Sequence, residues 1–123
     1  MIYLSVEEKI ALVKATKYMT IADGWISDSE QEFQADEFAR LFDDDEIPIV
    51  LPAANLMSDD HMLSVFEDME VTHCMYILGF LAKLGMVDGN VSRKEVEQWR
   101  VICKACNMRT DCVDDYISFW ETH

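Results

Sequence analysis

The chain has 123 residues and a formal net charge of −14, with half of its residues apolar and 28% charged. That is the mix of one soluble globular domain with a real core, and it excludes collagen-like, rod-like and disordered chains. Residues 1–70 hold 17 acidic and 4 basic residues, a balance of −13, while residues 71–123 hold 7 and 6, a balance of −1. A field of that sign repels phosphate backbones, so nucleic acid is excluded as a partner, whereas divalent cations or a basic protein partner suit it.

Two prolines and four glycines in a chain with no alternating polar–apolar stretch argue for helices throughout. Ser5 followed by Glu8 is a capping box, and it opens a helix with Leu12, Ala15, Met19 and Ala22 on one face, closing near Asp23-Gly24. A second helix fits Asp28 to Phe42, with Phe38, Leu41 and Phe42 turned inward. The run Asp43-Asp44-Asp45-Glu46 puts four negative charges at the negative end of that helix and reads as a solvated connection. Residues 47–57 carry Pro48 and Pro52 and fit one short helix that begins at a proline. Ser58 caps a helix through about Asp68. Val71 to Met86 is apolar on nearly every side, as a central buried helix is. Another helix runs from Arg93 to about Asn107, and a last one from Asp111 carries Val113, Tyr116, Ile117 and Trp120 on one face. The expectation is a single all-α domain of six to seven helices.

The most informative feature is a repeated motif. Residues 22–32 read Ala-Asp-Gly-Trp-Ile-Ser-Asp-Ser-Glu-Gln-Glu, and residues 87–97 read Val-Asp-Gly-Asn-Val-Ser-Arg-Lys-Glu-Val-Glu. At a constant offset of 65, Asp23/Asp88, Gly24/Gly89, Ser27/Ser92, Glu30/Glu95 and Glu32/Glu97 are identical. This implies two duplicated helix–turn–helix halves, about 6–42 and 71–107. The spacing matches the second half of a calcium-binding EF-hand loop, but the positions that should supply its first ligands are Met19, Ile21, Leu84 and Met86, which excludes a true EF-hand. Capping accounts for much of the motif: the glycines end helices, Ser27 and Ser92 are N-caps, and Glu30 and Glu95 complete capping boxes. Val91 and Val96 could form a hydrophobic staple in the second copy, where the first has Gln31. Asp23 and Asp88 are less needed for capping, although an Asx turn would use them.

The doubled Ala/Val-Asp-Gly-x-Ile/Val-Ser-x-x-Glu motif, each copy following an apolar helix, resembles the TerB-like family of tellurite-resistance proteins and the related N-terminal domain of membrane-anchored DnaJ-type co-chaperones. The resemblance implies about seven helices in two duplicated halves. It also implies an acidic site for a divalent metal, which here would be Asp23, Glu30, Asp88 and Glu95. A site of carboxylates alone would favour calcium or magnesium over zinc. No DnaJ domain or membrane anchor is expected from these residues, a departure from the co-chaperone relatives; a co-chaperone-like regulatory role is an alternative reading, as is a purely structural interaction domain with no metal that binds through an apolar groove.

The remaining clusters point to the core. Cys103 and Cys106 lie one turn apart beside Trp99 and Ile102 and read as small core residues. A zinc site would have to recruit Cys112 and a fourth ligand from His73, Cys74 or His123. His61 and His73 have no nucleophile beside them, and no phosphate loop or Ser-His-Asp series is present, so no enzymatic activity is expected. With no signal peptide and no bilayer-length apolar run, the expected location is cytoplasmic. A protein partner is expected.

Overall fold

The structure is a computed structural model that describes residues 2–21, 27–87, 89 and 91–123. Among the described residues there are seven helices and no strand: α1 (Val6–Ile21), α2 (Asp28–Leu41), α3 (Ile47–Leu56), α4 (Asp59–Glu67), α5 (Val71–Met86), α6 (Arg93–Ala105) and α7 (Val113–Thr122). The fold is all-α and forms a single domain. Helices α1 and α5 are each 16 residues long, and both their first and their last residues stand 65 apart. The starts of α2 and α6, at Asp28 and Arg93, stand 65 apart as well.

The helix starts follow their caps. Ser27 and Ser92 have extended backbones, and each hydroxyl accepts the backbone N–H of the glutamate three residues on, while that glutamate reaches back to the serine N–H. Ser58 caps α4 through the His61 N–H at 3.0 Å. The connection after α2 is more than a solvated acidic run. Glu46 turns back to accept the Asp43 N–H at 3.0 Å and pairs with Lys9 of α1 at 2.8 Å. Its carboxyl is held below the usual carboxylate range, by the Lys9 hydrogen bond first and the Asp43 amide second. Helix α3 follows directly with Pro48 near its first turn, where a missing N–H costs nothing. The last helix begins at Val113, two residues after Asp111.

Helix α5 is the axis of the core. Ten of its residues are buried, among them Ile77, Leu78, Phe80, Leu81 and Leu84. Helix α7 lies along it as the most extensive helix pair, α3 lies along α1, and α1 also packs against α4, α5 and α6. The approach of α7 depends on Gly79, because a Cβ there would stand 2.0 Å from the Tyr116 carbonyl oxygen and 2.8 Å from the Trp120 Cβ. Only a residue without a side chain admits α7 at this distance. Phe33 of α2 and Phe80 of α5 stack at 5.5 Å between ring centroids, with Trp120 of α7 against both. Leu12, Ala15 and Met19 of α1 are buried in the same core. So are Cys74, Cys103 and Cys106. All four cysteines are free thiols.

Candidate functional site

Two of the four motif carboxylates can be placed. Glu30 and Glu95 are each only 4% exposed. Asp23 and Asp88 lie outside the described residues. Glu30 is set by the first turn of α2, where its Oε1 accepts from the Ser27 hydroxyl at 3.1 Å and from the Ser27 N–H at 3.4 Å. Glu95 is set in the same way by the first turn of α6, where its Oε1 accepts the Ser92 N–H at 3.3 Å. Hydroxyl and amide donors of this kind are what makes burial of a carboxylate tolerable. The capping reading of both corners is therefore physically real. For comparison, the glutamate of the Ser5–Glu8 box at the start of α1 makes exposed hydrogen bonds to Ser5.

The described residues that line a cavity beside Glu95 are apolar. A cavity of about 270 Å³ is lined by Met19, Ala82, Gly85, Met86, Val91, Val96, Trp99 and Val113, together with Glu95 itself. Gly85 brings the carboxylate close: its Oε2 would be 3.2 Å from a Cβ at that position, and the Met19 methyl 3.5 Å. Val91 and Met86 stand exposed at the mouth. Val91 borders an open cleft that Val96 also lines. Trp99 forms the inner wall, held by its indole N–H donating to the Leu78 carbonyl at 2.9 Å.

A hard cation takes six to eight oxygen ligands. Among the described residues no group of three or more His, Cys, Asp or Glu is placed to hold a metal ion. Glu30 and Glu95 offer the oxygen chemistry a calcium- or magnesium-type ion prefers, but they do not make a complete ligand set. The described neighbours that line the cavity with Glu95 are hydrocarbon, thioether and indole groups, which do not coordinate such an ion. His61 and His73 face carboxylates, with His73 Nδ1 3.1 Å from Glu8 and His61 Nε2 3.9 Å from Glu7.

A third buried acid among the described residues carries no motif signature in the sequence. Glu37 of α2 is 4% exposed and receives the Tyr76 phenol at 2.5 Å. Arg40 donates to its two oxygens at 3.1 and 3.0 Å, and the Trp120 indole N–H donates at 3.3 Å. Burial, and then the Glu37 carboxylate, push the Tyr76 phenol far above its ordinary value. The cluster ties α2 to α5 and α7. Its signal was present in the sequence: Phe33, Glu37 and Leu41 recur every four residues, so an acid falls on the apolar stripe of α2.

No family model and no curated protein matches the chain. Among solved structures the chain is similar to the crystal structure of a protein of unknown function, PG1108, from Porphyromonas gingivalis W83. The similarity has a TM-score of 0.81 at 23% identity and covers all of both chains. At that identity the likeness concerns the all-helical fold alone.

Proposed function

We propose that the chain is a non-enzymatic accessory module of the TerB-like kind, cytoplasmic, built from two duplicated halves, that acts by binding a protein partner at its second motif corner. The observation that carries this reading is the pairing, in one cavity, of the buried Glu95 carboxylate with a wall of Met19, Ala82, Val96, Trp99 and Val113. An apolar side chain with a cationic end fits such a site: its body displaces water from hydrocarbon, and its charge meets a carboxylate in a low-dielectric setting. The net charge of −14 favours encounter with a basic partner. The equal spacing of α1 with α5 and of the two capping boxes supports the duplication.

The test uses small probes of the cavity. Benzylamine should shift the Trp99 indole resonance in NMR spectra, phenylacetate should not, and Val91→Asp at the exposed mouth should change the response while leaving the fold intact. A Trp99 resonance unmoved by benzylamine, or moved equally by both probes, would contradict the assignment.

A second reading has its own support in the matched burial of Glu30 and Glu95. With Asp23 and Asp88 they would form an acidic site for a calcium- or magnesium-type ion, as the resemblance implies, and a role in tellurite resistance belongs to this reading. Thermal melts with calcium, magnesium or chelator would show a cation-dependent rise that shrinks in a Glu30→Gln, Glu95→Gln variant. At about one hundred times its dissociation constant, an ion would add about 2.7 kcal/mol. An equal rise in wild type and variant would reduce the effect to screening of surface charge.

A further inference from the structure

A second cavity, of about 290 Å³, opens on the N-terminal half between α1, α2 and α3, lined by Val13, Lys17, Gln31, Gln34, Ala35, Phe38 and Leu51. Residues 65 positions further on include Leu78 for Val13, Trp99 for Gln34 and Tyr116 for Leu51. There the two aromatic rings lie 6.1 Å apart and the Trp99 N–H bonds the Leu78 carbonyl. At the N-terminal place the smaller residues leave space. The Gln34 amide nitrogen is buried and has no hydrogen-bond partner among the described residues. A buried amide donor without an acceptor is costly and points to a group that completes it.

The rim defines what that group belongs to. Asp28, Glu32 and Asp36 form an exposed stripe on α2 at four-residue spacing. Asp43, Asp44 and Asp45 precede α3, Asp59 and Asp60 follow it, and all five are exposed. Between them α3 leaves Ile49, Leu51 and Leu56 exposed, Leu56 at 87%. Of the lysines of this face, Lys17, which lines the cleft, donates to the Asn55 side-chain Oδ1, and Lys14 pairs with Asp59 at 3.3 Å. An apolar cleft bordered on α2 by the exposed Asp28 and Glu32, in the acidic half of the chain, disfavours nucleic acid and anionic lipid alike, and favours a cationic protein segment.

We infer that the cleft between α1, α2 and α3 docks a basic amphipathic helix of a partner protein, whose apolar side chains enter beside Phe38 and Leu51, whose Lys or Arg residues face the acidic rim, and which supplies an oxygen acceptor to Gln34. This surface is separate from the Glu95 cavity, and neither requires the other. Such an occupant uses helix-in-groove recognition, with anchors three and four residues apart.

The test is a titration of the whole chain, followed by amide NMR, with a synthetic helical peptide. Its probe carries leucine at i, i+3, i+4 and i+7 and lysine elsewhere, and a matched control carries glutamate for lysine. The lysine peptide should shift Gln31, Gln34, Ala35, Phe38 and Leu51, and its affinity should fall steeply as salt rises from about 50 to about 300 mM. Ala35→Trp, which fills the mouth from an exposed helix position, should weaken binding at least about tenfold. Val91→Asp should leave it unchanged. Leu51→Lys provides an independent block by charge if Ala35→Trp perturbs the fold. Shifts centred on Met86, Val91 and Trp99, equal binding by the glutamate peptide, or no binding at about 1 mM peptide would each overturn the assignment.

Discussion

Where α5 meets α7 the chain carries Gly79, and the two backbones come into contact; 65 residues earlier, on the helix that packs with α3, it carries Lys14, which reaches out to Asp59. The same offset pairs buried Tyr116 with exposed Leu51, and Trp99 with the unsatisfied Gln34. It also pairs the buried polar contact of Glu37 and Tyr76 with Ile102 and Ala11, both fully apolar core residues. The α5–α7 pair is thus closed by backbone contact and aromatic packing, and the α1–α3 side by side-chain reach and charge. Close packing is what makes a helix pair intolerant of added volume. Looser packing leaves surface that can be used for binding. Equal spacing along the chain does not entail equal packing.

The comparison is broken most severely at Gly79. Gly79→Ala must push α7 away from α5 and should cost about 3 kcal/mol or more in urea denaturation, whereas Lys14→Ala should fall within the range of ordinary surface changes. Equal losses would mean that the two helix pairs are packed alike. Next in size is Glu37→Gln, which puts N–H₂ in place of one carboxylate oxygen, opposite Arg40 and either Tyr76 or Trp120, and should cost about 2 kcal/mol. Tyr76→Phe should add little further loss in that background if the two groups act as one unit.

The caps sharpen the likeness instead of the difference. Ser27→Ala and Ser92→Ala should each cost about 1 kcal/mol, since each hydroxyl accepts the N–H of the glutamate three residues on, at 3.1 and 3.0 Å. Two neutral substitutions would remove the matched corners from the description. The mildest effect is alkaline. Burial raises both the Tyr18 and Tyr116 phenols to about 12, Tyr18 with help from its hydrogen bond to Asp59. The folded chain therefore keeps these protons above pH 10, where the unfolded chain gives them up. Stability is undiminished below about pH 10 and falls as pH rises toward 12. Tyr18→Phe and Tyr116→Phe should each flatten that fall, one in either half.

Helix content and helix starts were legible from the sequence because they rest on local chemistry. Ser5, Ser27, Ser58 and Ser92 each precede a helix, and the apolar stretch from Val71 to Met86 is the central one. Glu30 and Glu95 were singled out correctly as corner residues, but their burial was not legible, because it depends on what packs over the corner. The Glu37 cluster needed Tyr76 and Trp120, which lie 39 and 83 residues away in the chain. Gly79 showed the same limit: inside an apolar helix it reads as a weak point until the Tyr116 carbonyl is placed against it. The cavities at Glu95 and Gln34 are spaces between helices, and periodicity along one helix carries no information about them.

Native-state hydrogen exchange measures the contrast between the two helix pairs directly, because it reports the opening free energy of each helix separately. Amides of α5 and α7 should be the last to exchange, opening only with global unfolding, and α3 should exchange well before α7 although both lie against a long apolar helix. Equal protection of α3 and α7, or earlier exchange of α7, would contradict a closely packed α5–α7 pair beside a looser α1–α3 pair.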